Sequence, residues 1–378
     1  MTKRKIIYVT GTRADYGLMR NALNCLEQSK EIDLSLCVTG MHLQELYGKT
    51  VDEIQQDGFR ICAQISIDVT TISLGTMSKA IGQAIIGLTD VFLNEKPDIV
   101  LILGDRGEML AAAIAAVHLN IPTVHLHGGE RSGTVDEMVR HCISKLSHYH
   151  FVATKESKER LIKMGECPDR VYVVGAPGLD EVKSHKPLSR DDFCQHFQFV
   201  PNKKIALLVY HPVVQEVATI KEQFELVIKA ALDSDLQIIC LEPNADTGGH
   251  LIREAIKNLK VYHQIQIIKH LHRKDYLDCL FHADVMLGNS SSGIIEAASF
   301  NLPVVNVGSR QNLRERSNNV IDVCPDYSEI LSALKSALAI NRIKFENCYG
   351  DGNTSERCYH LLKSISLEPG ILSKTNAY

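Results

Sequence analysis

Residues 98–137 read DIVLILGDRGEMLAAAIAAVHLNIPTVHLHGGERSGTVDE, and the fold follows from this stretch. Asp98–Leu103 is a short β-branched apolar run, as a strand buried on both faces requires. Glu108–His118 is alanine-rich and apolar on most sides, as a packed crossover helix is. Pro122–Leu126 is a second strand. A helix joining two strands in this way makes them parallel and brings both C-termini to one edge of the sheet. That edge then presents Asp105 and Arg106 after the first strand, and His125, His127, Glu130, Asp136 and Glu137 after the second. Ligands of open α/β sheets bind at the carboxyl edge. So many titratable groups converging there mark a candidate catalytic site. The same residues also have simpler uses. Asp105 with Glu108, and Thr134 with Glu137, have the spacing of capping boxes, while Gly128, Gly129 and Gly133 suit a tight turn.

Outward toward the N-terminus, Lys5–Thr10 is a strand ending in GTRADYG (11–17), with a helix over Tyr16–Gln28. The glycine spacing is not G-x-G-x-x-G, so NAD binding is not indicated. Arg13 is placed to meet a phosphate at the sheet edge. Asp33–Val38 is the second strand, and TGMH (39–42) leads on from it. Ile61–Ile67 is a weaker strand and Ser78–Asn94 a long helix. Beyond the central stretch come a helix over Asp136–Leu146, a strand at Tyr149–Ala153, a helix over Lys155–Met164 closed by Gly165, and a strand at Val171–Val174. Gly175–Pro201 breaks the rhythm with three prolines and one helical stretch, Arg190–Phe197. It reads as the crossing between domains.

The alternation restarts at Ile205–Tyr210, which ends in His211-Pro212. A residue before proline is held extended, aiming the His211 ring away from the strand end. A helix over Ala218–Ala231 and a strand at Gln237–Leu241 lead to EPNADTGG (242–249), which contains Asn244. Ile265–Ile268, Lys274–His282 and Asp284–Leu287 follow. The last ends in GNSSSGIIEAASF (288–300), where Ser290, Ser291, Ser292 and Gly293 offer hydroxyls and N–H groups to a phosphate. Glu296, one turn on, suits a sugar diol, although a capping serine and a solvated glutamate would read alike. Pro303–Val307 is the final core strand. GSRQNLRER (308–316) then carries Arg310, Arg314 and Arg316 as phosphate partners. Helices cover Tyr327–Ile340 and Thr354–Ser364, and the tail after Leu367 reads as frayed.

A chain of 378 residues exceeds one ordinary core. The expected fold is α/β, two Rossmann-like domains facing across a cleft. The first spans residues 1–175, a crossing 176–200, the second 201–353, and a C-terminal helix and tail 354–378. A net charge of −4 gives no field that recruits nucleic acid or anionic membrane. Eleven scattered cysteines without a C-x-x-C pair argue for reduced thiols and against a cysteine-rich zinc site. With neither a signal-like h-region nor an 18-residue apolar span, the expected location is the cytoplasm. Homo-oligomers, dimeric or tetrameric, are the expected assembly.

GTRADYG, GMH, LGDR, HLHGGE with SGTVDE, the HP after Tyr210, NADTG, and GNSSSG with Glu296 resemble, in this order, the hydrolysing UDP-N-acetylglucosamine 2-epimerases. The resemblance spans roughly the whole chain. It implies two Rossmann-like domains arranged as in B-type nucleotide-sugar glycosyltransferases, with no metal and no nicotinamide cofactor. It also implies conversion of UDP-N-acetylglucosamine and water to N-acetylmannosamine and UDP, for sialic acid synthesis. In that chemistry the C2 proton is removed as UDP leaves C1, giving a 2-acetamidoglucal, and water then adds at C1 as C2 is reprotonated from the other face. Two faces need at least two acid–base groups. By motif these are Asp105, Glu130 and Asp136, with Glu137 beside them, and His211 at the leaving group. Arg13, His42, His127, Asn244, Ser290, Ser291, Ser292, Gly293 and Arg314 would contact substrate, and Glu296 the ribose. Two features depart from the relatives: the first turn has no lysine, and His127 stands where many carry glutamate. A nearby branch hydrolyses UDP-N,N′-diacetylbacillosamine for legionaminic acid, and no motif residue separates the two substrates. A glycosyltransferase or a UDP-sugar sensor of the same architecture are the other readings.

Overall fold

The computed structural model of the chain describes residues 3–70, 75–132, 135–213, 216–243, 248–269, 271–340 and 344–378. The chain forms two compact units, one of residues 1–181 with 349–378, the other of residues 182–348.

In the first unit the order is β1 Arg4–Thr10, α1 Arg13–Glu27, β2 Ile32–Thr39, α2 Val51–Gln56, β3 Ile61–Ile65, α3 Thr76–Glu95, β4 Ile99–Leu103 and α4 Gly107–His118. It continues with β5 Thr123–Leu126, α5 Val135–Leu146, β6 Tyr149–Val152, α6 Lys155–Lys163, β7 Val171–Val173 and α7 Leu179–Ser184, which runs into the second unit. The strands pair in parallel in the order β3-β2-β1-β4-β5-β6-β7. Alternation along β1 sends Ile6 and Tyr8 toward α1 and Ile7 and Val9 toward α3 and α4, so helices cover both faces. α1 buries Tyr16, Met19, Leu23 and Leu26, spaced as one helical face. It begins earlier than the apolar pattern predicts because Thr12 caps it and Asp15 completes the capping box.

The second unit runs α8 Arg190–Phe197, β8 Ile205–Val209, α9 Ile220–Leu232, β9 Gln237–Leu241, α10 Gly249–Lys257, β10 Ile265–Ile268, α11 Arg273–His282 and β11 Val285–Gly288. It ends with α12 Ser291–Ile295, β12 Val304–Val307, β13 Val320–Val323 and α13 Tyr327–Ala339. Its parallel sheet has the order β10-β9-β8-β11-β12-β13. The strand β13 is not anticipated by the sequence pattern, because only four residues between polar stretches form it.

α14, Thr354–Ser364, returns to the first unit and places Cys358 and Leu362 in the core that holds Leu23 and Leu26. The tail beyond it is not frayed. Ile371 packs on that core, Ala377 N–H donates to the Gly165 carbonyl at 3.0 Å, and Arg170 donates to the Ile371 carbonyl at 3.3 Å. The expected crossing region holds two helices, α7 and α8, rather than one. All eleven cysteines are free thiols. No helix among the described residues is long and apolar enough to cross a membrane.

Candidate active site

In each sheet the winding direction reverses between two neighbouring strands, β1 and β4 in the first unit and β8 and β11 in the second. The carboxyl edge at such a reversal is where open α/β sheets bind ligands.

At the first edge the organising side chain is Arg140, on α5 and 3 % exposed. It pairs with the Asp105 carboxylate, donates to the Glu130 carbonyl at 2.9 Å and reaches Ser132 Oγ at 3.5 Å. The turns after β4 and β5 are thereby tied to one guanidinium. Asp105 is therefore no helix cap: Arg106 holds the N-cap position of α4 without a side-chain cap bond. Glu130 is buried, and its Oε1 lies 2.5 Å from His127 Nδ1. A carboxylate can only accept, so Nδ1 carries the proton, and in the neutral ring Nε2 holds a lone pair. His127 Nε2 is screened from solvent with no hydrogen-bond partner among the described residues, and the residue sits at φ +60°, a left-handed conformation rare for a side-chain-bearing residue. Glu137 in the first turn of α5 accepts from Ser132 N–H at 2.7 Å and so braces the loop, while Asp136 beside it is exposed. Thr134 and Gly133 lie outside the described residues.

Two expected ligand contacts have other work. His42 is fully buried, with Nε2 at 2.9 Å from Thr10 Oγ1 and Nδ1 at 2.7 Å from Thr50 Oγ1, so no ring nitrogen is left for a substrate. Burial pushes it down to about 4, and the ring is neutral. Arg13 forms an exposed ion pair with Glu53 at 3.1 Å. His125 is likewise buried beneath the edge: Nε2 donates to the Gly104 carbonyl at 2.7 Å and Nδ1 faces Ser144 Oγ at 3.2 Å. Burial takes it down to about 3.

Two residues that sequence reasoning left out stand at this edge. Arg140 is one. The other is Glu108, buried at the start of α4 beside Arg106, with Nε to Oε2 at 3.3 Å. A Cβ built on Gly11 or Gly40 would come within 3.1 Å or 2.7 Å of the Glu108 carboxylate, so the turns after β1 and β2 close directly over it.

The second edge is built from amides and hydroxyls. Asn289, after β11, accepts from His211 N–H at 2.7 Å and donates to the His211 carbonyl at 2.8 Å, clamping the turn after β8. Its own carbonyl accepts from Arg310 at 3.1 Å and Gln311 at 3.0 Å. Only glycine fits at 288, since φ is +132° and a Cβ would lie 2.1 Å from the Val209 carbonyl oxygen. Ser290 caps α12, its Oγ accepting from Ser292 N–H at 3.3 Å. The Gly293 N–H donates to the Ser290 carbonyl, and a Cβ there would lie 3.0 Å from a Val304 methyl, so the strand packs closely on this turn. Glu296 is buried, paired with Arg273 through Oε1, and accepts from Ser292 Oγ at 2.5 Å through Oε2. Those bonds fix its carboxylate while leaving each oxygen a second lone pair. Arg316 binds Asp322 at 2.8 Å and two carbonyls, anchoring the loop that carries Arg314. Asn244 lies outside the described residues. No cluster of three or more His, Cys, Asp or Glu among the described residues is arranged to hold a metal ion.

Comparisons with known proteins show the family to which the chain belongs. The profile of the UDP-N-acetylglucosamine 2-epimerase family matches residues 24–363. A "UDP-N,N'-diacetylbacillosamine 2-epimerase (hydrolyzing)" from Legionella pneumophila is 67% identical over 375 residues, covering 99% of this chain and 100% of its own. A "GDP/UDP-N,N'-diacetylbacillosamine 2-epimerase (hydrolyzing)" from Campylobacter jejuni is 36% identical over 327 residues, 85% of each chain. The solved UDP-GlcNAc 2-epimerase of Neisseria meningitidis superimposes with a TM-score of 0.78 at 21% identity, covering 95% of this chain and 99% of that one, which shows the shared fold. The chain therefore belongs to the hydrolysing UDP-N-acetylglucosamine 2-epimerase family.

Proposed function

We propose that this chain hydrolyses a UDP-linked 2-acetamido sugar with inversion at C2, and that its substrate is UDP-N,N′-diacetylbacillosamine. The carrying observation for the substrate is identity of 67% across the full length of a relative named for it. The family is named for UDP-N-acetylglucosamine, which the resemblance puts first although no motif residue separates the two substrates. The full-length identity reverses that order.

The chemistry is assigned to the first edge. Removing the C2 proton as the C1–O bond to UDP breaks gives a glycal, and hydration with reprotonation at the opposite face completes the change. Asp105, Glu130 and Asp136 supply the acid–base groups, and His127 shares a proton with Glu130. Arg140 holds Asp105 and the Glu130 backbone in register, so two acids keep a fixed spacing while charge moves at C1 and C2. The second edge receives the nucleotide. By the family motif His211, Ser290, Ser291, Ser292, Asn244 and Arg314 are assigned to the diphosphate, where donors stabilise the negative charge that grows as UDP departs. Glu296 takes the ribose hydroxyls on its remaining lone pairs.

The test is a proton NMR time course in D₂O, with UDP-N,N′-diacetylbacillosamine and UDP-N-acetylglucosamine in separate tubes and no acceptor. The expected result is UDP with a free 2-epimeric sugar carrying deuterium at C2, faster from the first tube. Faster turnover of the second reassigns the substrate. UDP from neither rejects the activity.

A further inference from the structure

The last residues of the chain reach the back of the first edge. Lys374 is largely buried, and its Nζ donates to the carbonyls of Ser144 at 2.9 Å, Lys145 at 2.9 Å and Ser147 at 2.6 Å. The first two lie in the last turn of α5 and the third just beyond it; Ser144 also accepts from Ser147 N–H at 3.2 Å, and carbonyls at a helix C-terminus favour a cation. The same Nζ pairs at 2.7 Å with Glu166, a buried carboxylate that also meets His150 at 2.9 Å and Lys145 at 2.9 Å. Asn376 adds a bond from Lys145 at 2.9 Å.

Ser144 links this anchor to the site. Its carbonyl accepts from Lys374, while its hydroxyl donates to the Arg140 carbonyl at 3.0 Å and faces His125 Nδ1. Arg140, one turn earlier, grips Asp105 and the Glu130 carbonyl. We infer that Lys374 is a positioning residue for the acid–base edge: by holding the end of α5 it sets the placement of Arg140, and through Arg140 the placement of Asp105 and Glu130. The ammonium does this with directed bonds into one helix end, a geometry that an apolar side chain of equal length cannot supply. Without it, the α5 carbonyls and Glu166 lose a partner in a buried place, and the helix end must shift to find water.

This rests on the proposed activity, so the experiment has one readout that needs turnover and one that does not. Lys374→Met keeps the apolar stem and removes the charge. The expected result, well below the melting temperature, is a fall in kcat of about tenfold or more with KM for the UDP-sugar within about twofold of the parent. Lys374→Arg should restore at least half of kcat. In a double-mutant cycle with Arg140→Lys, the Lys374→Met loss should shrink to less than about twofold, because both changes break one relay. Additive losses, or a lower melting temperature with kcat untouched, overturn the proposal. Should Lys374→Met not fold, Ser144→Ala, which leaves the tail in place, should lower kcat at constant KM, and an unchanged kcat overturns it. If the parent protein turns over neither sugar, the functional reading fails, and the relay is then judged by NMR alone. The Arg140 Nε–H resonance should move in Lys374→Met, and an unmoved resonance overturns it.

Discussion

β1 and β8 hold equivalent places, each with its reversal neighbour, β4 or β11, alongside. After β4 and β5 the chain ties Asp105 and the Glu130 backbone to Arg140, pairs His127 with Glu130 and buries Glu108 beside Arg106. After β8 and β11 it sets His211, Asn289 and a run of serines, with an asparagine as the brace. One winding thus carries two chemistries, an edge of carboxylates held by a guanidinium and an edge of hydroxyls and amides braced by an asparagine. The strands determine where a ligand goes, and the few residues after each strand determine what happens to it.

The sharpest way to break this contrast is at Asp105. Asp105→Asn keeps shape but removes the charge that faces Arg140. It should lower kcat for UDP release by roughly 10³-fold, the range of a lost acid–base group, with circular dichroism and melting profile close to the parent. Turnover within about tenfold of the parent would remove Asp105 from the acid–base set. Acid offers a second, gentler separation. Burial holds His42 at about 4, His125 at about 3 and His148 at about 4, all in the first unit. Folded-state values below the ordinary range mean the stability they allow is full above about pH 6.5 and falls as pH drops toward about 4, where the unfolded chain takes protons the folded one refuses. Asp15 opposes this, since burial raises its carboxyl to about 6 and the folded state then binds that proton first. The three histidines outnumber the one carboxyl, so the net direction is a loss of stability as pH falls. Hydrogen exchange between about pH 7 and about pH 5 should therefore show β1, β4 and β5 losing protection as pH falls. A flat profile would mean those rings are charged or partnered otherwise. The smallest effect belongs to the second edge. Ser292→Ala removes one hydroxyl that also orients Glu296. Steady-state kinetics should give a severalfold higher KM with kcat little changed, and a kcat collapse would place chemistry at the second edge as well.

The alternation from Asp98 to Leu126 and the acidic turns that follow its strands are legible because periodicity and turn composition are local properties. The same holds for Gly288 and the capping serine Ser290. What is not legible depends on distant partners. Arg140 reads as one charge on an amphipathic helix, and only the fold brings Asp105 and the Glu130 carbonyl to it. His42 sits in a motif-like GMH, yet Thr10 and Thr50, from separate elements, enclose it. The tail offers no periodic pattern, and its order comes from Lys374 finding a helix end across a separation of 230 positions.

The first unit is sewn from two ends of the chain, because α14 and the tail rejoin it after the second unit has been made. On a ribosome, β1 to β7 emerge well before Leu362 and Lys374 exist, so the nascent first sheet waits with one face of α1 uncovered. Domains usually complete themselves in order of synthesis. Here the second unit can finish first, and the core of the first closes only when Cys358 and Leu362 of α14 reach Leu23 and Leu26 of α1. Until then that apolar face of α1 has no cover from its own chain.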